Sequence, residues 1–234
     1  MLHRSLRVAA FALVPVAAFT FGGWVVITVD SLPEYAVAGT PTTLSFAVRQ
    51  HGMTTLTDLH PYVTARSGST VVEAKTGTNS AGHYTAAMTL PRDGAWTIDI
   101  RSGFMNGTMS TPLMPMRVIA AGASAPQAMP AALRGKHLFV AKGCVSCHVH
   151  PETSEWQTTS AGPNLTGRRY VPKVLAAFLD DPEKSPLSQS PKSGVGGPTY
   201  VRMPKLGLDA KEIGALVAFV NGGGAVASGS GERR

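Results

Sequence analysis

The sequence predicts a two-domain protein, an all-β domain followed by an all-α domain. Three observations carry this. Apolar residues recur at every second position through much of the first half, and apolar stripes at helical spacing occupy the second half. Between them lies a small-residue, proline-containing stretch, residues 120–130 (AAGASAPQAMP), read as a linker. At 234 residues the chain has room for two ordinary domains.

Residues 24–119 carry the β pattern. Leu44, Phe46 and Val48 alternate with Thr43, Ser45 and Ala47. Tyr84, Ala86, Met88 and Leu90 also fall at every second position, as do Trp96, Ile98 and Ile100. A period of two places one set of side chains on one face of a sheet. Turn-forming clusters separate the runs: Gly39-Thr40-Pro41, Ser67-Gly68-Ser69, Asn79-Ser80-Ala81-Gly82 and Pro91-Arg92-Asp93-Gly94. About seven short strands at this spacing predict a small antiparallel sandwich. The run GHYTAAMTLPRDGAWTI, through Gly82, Tyr84, Ala86, Leu90, Pro91, Gly94 and Trp96, resembles the YtkA-like family of extracytoplasmic domains. That resemblance implies an immunoglobulin-like fold and a connection with copper or respiratory-complex biogenesis.

Residues 1–23 read as a signal peptide or a membrane anchor. His3, Arg4 and Arg7 precede an uncharged stretch from Val8 to Val29. Val8 to Val16 serves as the apolar part of an export signal and Val16-Ala17-Ala18 as its cut. Uncleaved, Val8 to Val29 is long enough to span a bilayer at about 20 residues. Against this, Trp24 to Val29 (WVVITV) is rich in β-branched residues and reads as the first strand of the sandwich. Either way the remainder is placed outside the cytoplasm, in the bacterial periplasm, anchored or soluble, with the positive end left inside.

Helical signals begin at residue 131. Leu133, His137, Leu138 and Val140 form one segment, with Gly135 and Phe139 four apart on one face. Pro172 opens the next, where Val174, Leu175, Phe178 and Leu179 make an apolar stripe that ends before Pro182. Prolines 186, 191 and 198 and three glycines between Lys184 and Tyr200 predict a long surface loop. Asp209 is placed as N-cap of the last helix, with Glu212 completing a capping box. Ile213, Leu216, Val217 and Val220 form its buried stripe, and Gly222 to Gly224 stop it. Residues 224–234 read as a disordered tail.

Within the α domain, residues 144–148 read Cys-Val-Ser-Cys-His, and Cys144 and Cys147 are the only cysteines. That spacing is the attachment signature of a c-type haem. Each thiol can bond one vinyl group of the porphyrin, and His148 then lies under the iron. A structural zinc site would need a second ligand pair, and a thioredoxin-like pair would need a βαβ setting; neither surrounds this run. The assignment is one covalently bound haem c, joined outside the cytoplasm.

Residues 131–223 resemble a class I cytochrome c domain. The matching pieces come in order: Gly135 with Leu138-Phe139, Gly143-Cys144-Val145-Ser146-Cys147-His148, Gly162-Pro163-Asn164-Leu165, Arg202-Met203-Pro204, and the apolar terminal helix. The resemblance implies that the first and last helices cross, with Gly135 and Gly214 as candidates for close approach. It implies that the Pro163 carbonyl accepts the free N–H of His148. Met203 is read as the sixth iron ligand, since a soft thioether favours reduced iron; His150 and Met129 are the alternatives. With both axial positions filled, the iron has no place for substrate, so the domain is an electron carrier rather than an enzyme. The long loop before Met203 departs from the family pattern.

The β domain also holds His51, Met53, His60 and His83, and methionines 105, 109, 114 and 116. Imidazole with thioether suits copper(I), and His51 with Met53 is the pair considered for it. The alternative is that these methionines pack a sheet. A purple dinuclear copper centre is excluded, because haem takes both cysteines.

Net charge is +7, most of it in the second part: residues 126–234 hold thirteen Lys/Arg against eight Asp/Glu. A basic face suits an acidic redox partner or an anionic membrane. No aromatic-plus-basic stripe argues for nucleic acid. The leading reading is a monohaem carrier of single electrons in a respiratory chain. Its redox partners include a membrane respiratory complex, and the N-terminal segment provides membrane association. The alternatives are a copper-handling accessory protein with a haem module and the electron-delivery subunit of a larger oxidoreductase.

Overall fold

The computed structural model describes residues 23–79, 81–107, 109–156, 159, 161–185 and 202–222. The expected signal or anchor segment, the tail and most of the loop before Met203 lie outside these residues.

The first half forms two sheets facing each other. One carries β1 (Val25–Val29), β3 (Pro41–Gln50), β8 (Tyr84–Thr89) and β7 (Lys75–Thr78) in that order, with β4 (Thr54–Thr55) on β3. The other carries β2 (Tyr35–Val37), β11 (Met116–Ile119), β9 (Gly94–Arg101), β5 (Tyr62–Ser67) and β6 (Thr70–Glu73), with β10 (Ser110–Pro112) on β9. All pairings are antiparallel except β2 with β11. Eleven strands appear among the described residues rather than about seven, because several are only two to four residues long.

The period-two residues fill the space between the sheets. Leu44, Phe46 and Val48, Tyr84, Ala86, Met88 and Leu90, and Trp96, Ile98 and Ile100 are all buried there. Two polar atoms are taken inside with partners. Tyr84 Oη donates to the Leu56 carbonyl at 2.9 Å and accepts from Leu59 N–H at 2.8 Å. Trp96 Nε1 donates to the Arg92 carbonyl at 3.0 Å. The residues carrying the YtkA-like resemblance are thus mostly structural, buried side chains or, at Gly82 and Gly94, positive-φ turns.

β1 differs from the other strands in that all five of its residues are buried. Val25, Ile27 and Val29 face the sandwich core, while Val26 and Thr28 are covered on the opposite face.

The second half holds α1 (Ala131–Ala141), α2 (Pro172–Asp180) and α3 (Ala210–Gly222), with one-turn 3-10 segments between α1 and α2. Pro172 stands in the first turn of α2, where its missing N–H costs nothing. The capping box of α3 forms in both directions: Glu212 N–H donates to Asp209 Oδ1 at 2.8 Å and Asp209 N–H to Glu212 Oε2 at 3.3 Å.

α1 and α3 cross at Gly135. A Cβ there would lie 2.0 Å from the Ala215 carbonyl oxygen and 2.6 Å from Phe219 Cβ, so only glycine permits this approach. Gly214, the other candidate, has nothing within 4 Å. The stripe α3 buries is Ala215, Leu216, Phe219 and Val220, with Ile213 and Val217 half-buried, so the face is rotated from the one predicted. Phe219 packs against Phe139 with the rings tilted at 59° and their centroids 5.4 Å apart. On α2, Leu175 and Leu179 are buried but Val174 is exposed.

Gly135→Ala should destabilise the α domain by about 1–3 kcal/mol, the usual cost of overpacking. Gly214→Ala should instead stabilise it, by up to about 1 kcal/mol from helix propensity. Denaturant unfolding followed by circular dichroism checks the opposite signs.

His137 on α1 is buried, and its pKa is lowered first by that burial and then by Arg134 and Lys136. The folded chain therefore prefers the neutral ring, whereas the unfolded chain takes up a proton near pH 6.5. Stability contributed by this group is present above about pH 6.5 and falls as the pH drops below it. His137→Leu should flatten the stability profile between about pH 7.5 and 5, read by thermal unfolding at each pH.

Candidate haem site

The attachment motif begins where α1 stops. The Lys142 N–H bonds the Leu138 carbonyl at 2.7 Å, and Gly143 N–H bonds that of Val140 at 3.0 Å. Gly143 takes a left-handed conformation, φ 76°, which ends the helix as glycine commonly does. A single 3-10 turn, Cys144–Ser146, follows. Cys147 N–H and His148 N–H both bond the Cys144 carbonyl, at 3.1 and 2.9 Å. The two thiols and the imidazole are therefore presented from one compact turn.

Both cysteines are free of disulfide. Burial, with Cys147 nearby, pushes the Cys144 thiol up to about 12, and burial pushes Cys147 up to about 11. These are not the low-pKa, electropositive thiols of redox catalysis.

The segment after the motif folds back over His148. Gly162 N–H donates to the Cys147 carbonyl at 2.9 Å, and Leu165 N–H to that of Val149 at 2.9 Å. Thr159 Oγ1 donates to the Ser146 carbonyl. This brings the Pro163 carbonyl 3.0 Å from His148 Nδ1. A Cβ on Gly162 would stand 2.6 Å from His148 Cε1 and 2.8 Å from Nδ1, so glycine leaves the room the ring occupies. Burial lowers the His148 pKa, the Pro163 bond acting the other way, so the ring is neutral. With Nδ1–H committed to Pro163, Nε2 keeps its lone pair for a metal. The donor set fits a haem c: two thiols for the vinyl groups and an oriented imidazole nitrogen for iron.

Met203 is half-buried and packs on the same apolar core as Leu206 and Ile213. It lies six residues before the Asp209 capping box. The alternative ligands stand elsewhere. His150 is 1% exposed between Phe219, at 4.2 Å centroid distance, and Phe139, at 5.8 Å. Its Nδ1 accepts the Glu152 N–H at 3.3 Å. It is an aromatic core residue of the helix crossing. Met129 is half-buried in the linker.

The copper reading gains no support from the β domain. Among the described residues, no group of three or more His, Cys, Asp or Glu side chains is placed to hold a metal ion. His51 packs edge-on against Trp24 at 5.9 Å, and Met53 is exposed. His83 is paired with Asp30 at 2.9 Å. The sulfur of Met109 accepts the Val25 N–H at 3.3 Å, and Met116 is buried in the sandwich core. Packing accounts for these two methionines.

Sequence reasoning did not single out Lys142 or Phe219. Lys142 reads as an ordinary charged residue after an apolar helix, and nothing in the sequence marks it as buried.

Residues 132–223 match a protein-family model described as Cytochrome c. This part of the chain is a cytochrome c domain, and such domains are electron carriers that hold haem covalently. No curated protein matches the chain. Among solved structures, the Lin-41 filamin domain is 15% identical at TM-score 0.33, with 40% of this chain and 91% of that chain covered. The ZirS C-terminal domain is 12% identical at TM-score 0.31, covering 51% and 84%. Domains 4 and 5 of the S-layer protein SbsC are 23% identical at TM-score 0.31, covering 42% and 48%. Likenesses at this level carry nothing about function.

Gly162→Ala should push the His148 ring off the Pro163 carbonyl. In the haem-loaded protein the expected result is a rise in the high-spin fraction of the oxidised form, read by its absorption spectrum.

Proposed function

We propose, taking residues 132–223 as a cytochrome c domain, that this chain is an extracytoplasmic monohaem cytochrome passing single electrons in a respiratory chain. The observation that carries the reading is the His148 imidazole, fixed by the Pro163 carbonyl within one turn of two free thiols.

Each residue has a defined part. Cys144 and Cys147 would tether the group through two thioether bonds, which suits a domain of this size whose core alone would hold it loosely. His148 offers Nε2 to the iron, and Pro163 holds the ring in one tautomer and orientation. Met203 would supply a sulfur ligand to the iron, and Pro204 stiffens the chain that carries it. Haem c, when bound, supplies a one-electron iron couple whose potential a His/Met pair raises.

An export address supports the location. The basic start and apolar run of residues 1–23 read as a signal peptide or an anchor, and haem is attached to such motifs outside the cytoplasm. Val25–Val29 forms a buried strand, so an anchor would draw on the residues before it. Among the described residues, no helix is long and apolar enough to cross a membrane. The partners are redox proteins, a membrane complex of the respiratory chain among them. The exposed Arg168 and Lys173, beside exposed Val171 and Val174, suit an acidic partner surface.

Potentiometric titration of the full-length protein should give one reversible one-electron wave with low-spin iron. Met203→Ala should lower the midpoint by on the order of 0.1 V, within the about 0.8 V that axial ligands command. It should also let the reduced protein bind carbon monoxide. A midpoint and spectrum unchanged by Met203→Ala would remove the sixth-ligand assignment. The absence of any reversible wave would remove the carrier reading.

A further inference from the structure

Lys142 is 2% exposed, although it carries a charge and immediately precedes Gly143-Cys144. Its Nζ donates to the Asp30 carbonyl oxygen at 2.7 Å and lies 2.8 Å from Glu212 Oε1. Asp30 directly follows β1. Glu212 stands in the first turn of α3, and its other oxygen closes the capping box on Asp209. One ammonium therefore joins three segments: the end of the sandwich's first strand, the start of the attachment turn, and the helix entry that follows Met203.

Other contacts run along the same seam. A Cβ on Gly143 would stand 2.3 Å from Val26 Cγ1 and 2.7 Å from the Ile27 carbonyl oxygen, so the residue before Cys144 lies directly on β1. The Arg134 guanidinium on α1 donates to the Leu32 carbonyl. Thr28 pairs in register with Ala47, and both are buried. Since Thr28 shares its face with Val26, β1 is walled on both sides, by its own sandwich and by the haem domain.

Relative motion is the default for two domains joined by a small polar interface. A buried ion pair adds little net stability, but the geometry it enforces is specific, because misplacing either partner leaves an unpaired buried charge. Here the pair is completed by a backbone carbonyl from the other domain. It is satisfied only when sandwich, attachment turn and α3 stand in one arrangement.

We propose that Lys142 is a positioning residue for the iron centre, locking the β-sandwich, the Cys144 turn and the Met203-bearing segment into one rigid frame. The sandwich is then a fixed wall of the electron-transfer unit and not a tethered spacer. The redox consequence rests on the haem reading above; the locking does not.

The test uses the full-length, haem-loaded protein. Backbone NMR relaxation of the wild type should give one rotational correlation time for both domains. The double variant Lys142→Met/Glu212→Gln removes both charges, so no lone buried ion is left to unfold the chain. It should give shorter, separate correlation times for the two domains. Its midpoint should fall and its methionine-to-iron charge-transfer band weaken, with covalent haem content unchanged. Separate correlation times in the wild type would overturn the proposal, as would a double variant with unaltered tumbling, midpoint and band. A chain that carries no covalent haem would instead defeat the haem reading, and the relaxation measurement would still decide the lock.

Discussion

The crossing of α1 and α3 at Gly135 sets where everything else in the C-terminal domain stands. Helix axes can come this close only because no Cβ intervenes between Gly135 and the Ala215 carbonyl. The crossing brings Phe139, His150 and Phe219 into one aromatic cluster, whose burial is worth about 1.5–3 kcal/mol for each large side chain. It also fixes the two helix ends that matter chemically. The C-terminus of α1 delivers the Cys144 turn, and the N-terminus of α3 receives the chain from Met203. The attachment turn and the segment bearing Met203 are thereby referred to one packing event.

Upon that frame, several polar groups near the site have a defined task. The Pro163 carbonyl accepts the His148 N–H, and the proline ring fixes φ in the segment that carries it. Gly162 gives the ring its room, and its N–H ties the segment back to Cys147. Glu212 divides its two oxygens between capping α3 and neutralising Lys142. The electrostatics are local: one buried ammonium, one half-buried carboxylate and one carbonyl beside the attachment turn.

Much of this was legible in the sequence, for physical reasons. Period-two residues such as Phe46, Tyr84 and Trp96 identified the sandwich because burial on one sheet face leaves a record at every second position. Asp209 with Glu212, Pro172, and Gly135 identified helix starts and a contact because each residue type answers a specific backbone need. What was hidden lay in contacts between segments far apart. Trp24 to Val29 reads as a first strand, but nothing in it records that the turn at Gly143 packs against Val26. Lys142 and Asp30 are 112 positions apart, and no local pattern records their bond. His150 was weighed as an iron ligand because histidines near the motif invite it; its place among phenylalanines depends on a helix crossing that the motif does not encode. The histidines and methionines proposed for copper were similar in composition to a binding set, but composition does not bring them together.

Covalent attachment is the claim from which the remainder follows, and intact mass analysis of the exported full-length chain measures it directly. The account predicts the mass of the polypeptide plus one haem, stable to acid and organic solvent, and lost when Cys144 and Cys147 are both changed to Ser. A chain exported by haem-attaching cells at its bare polypeptide mass would contradict it.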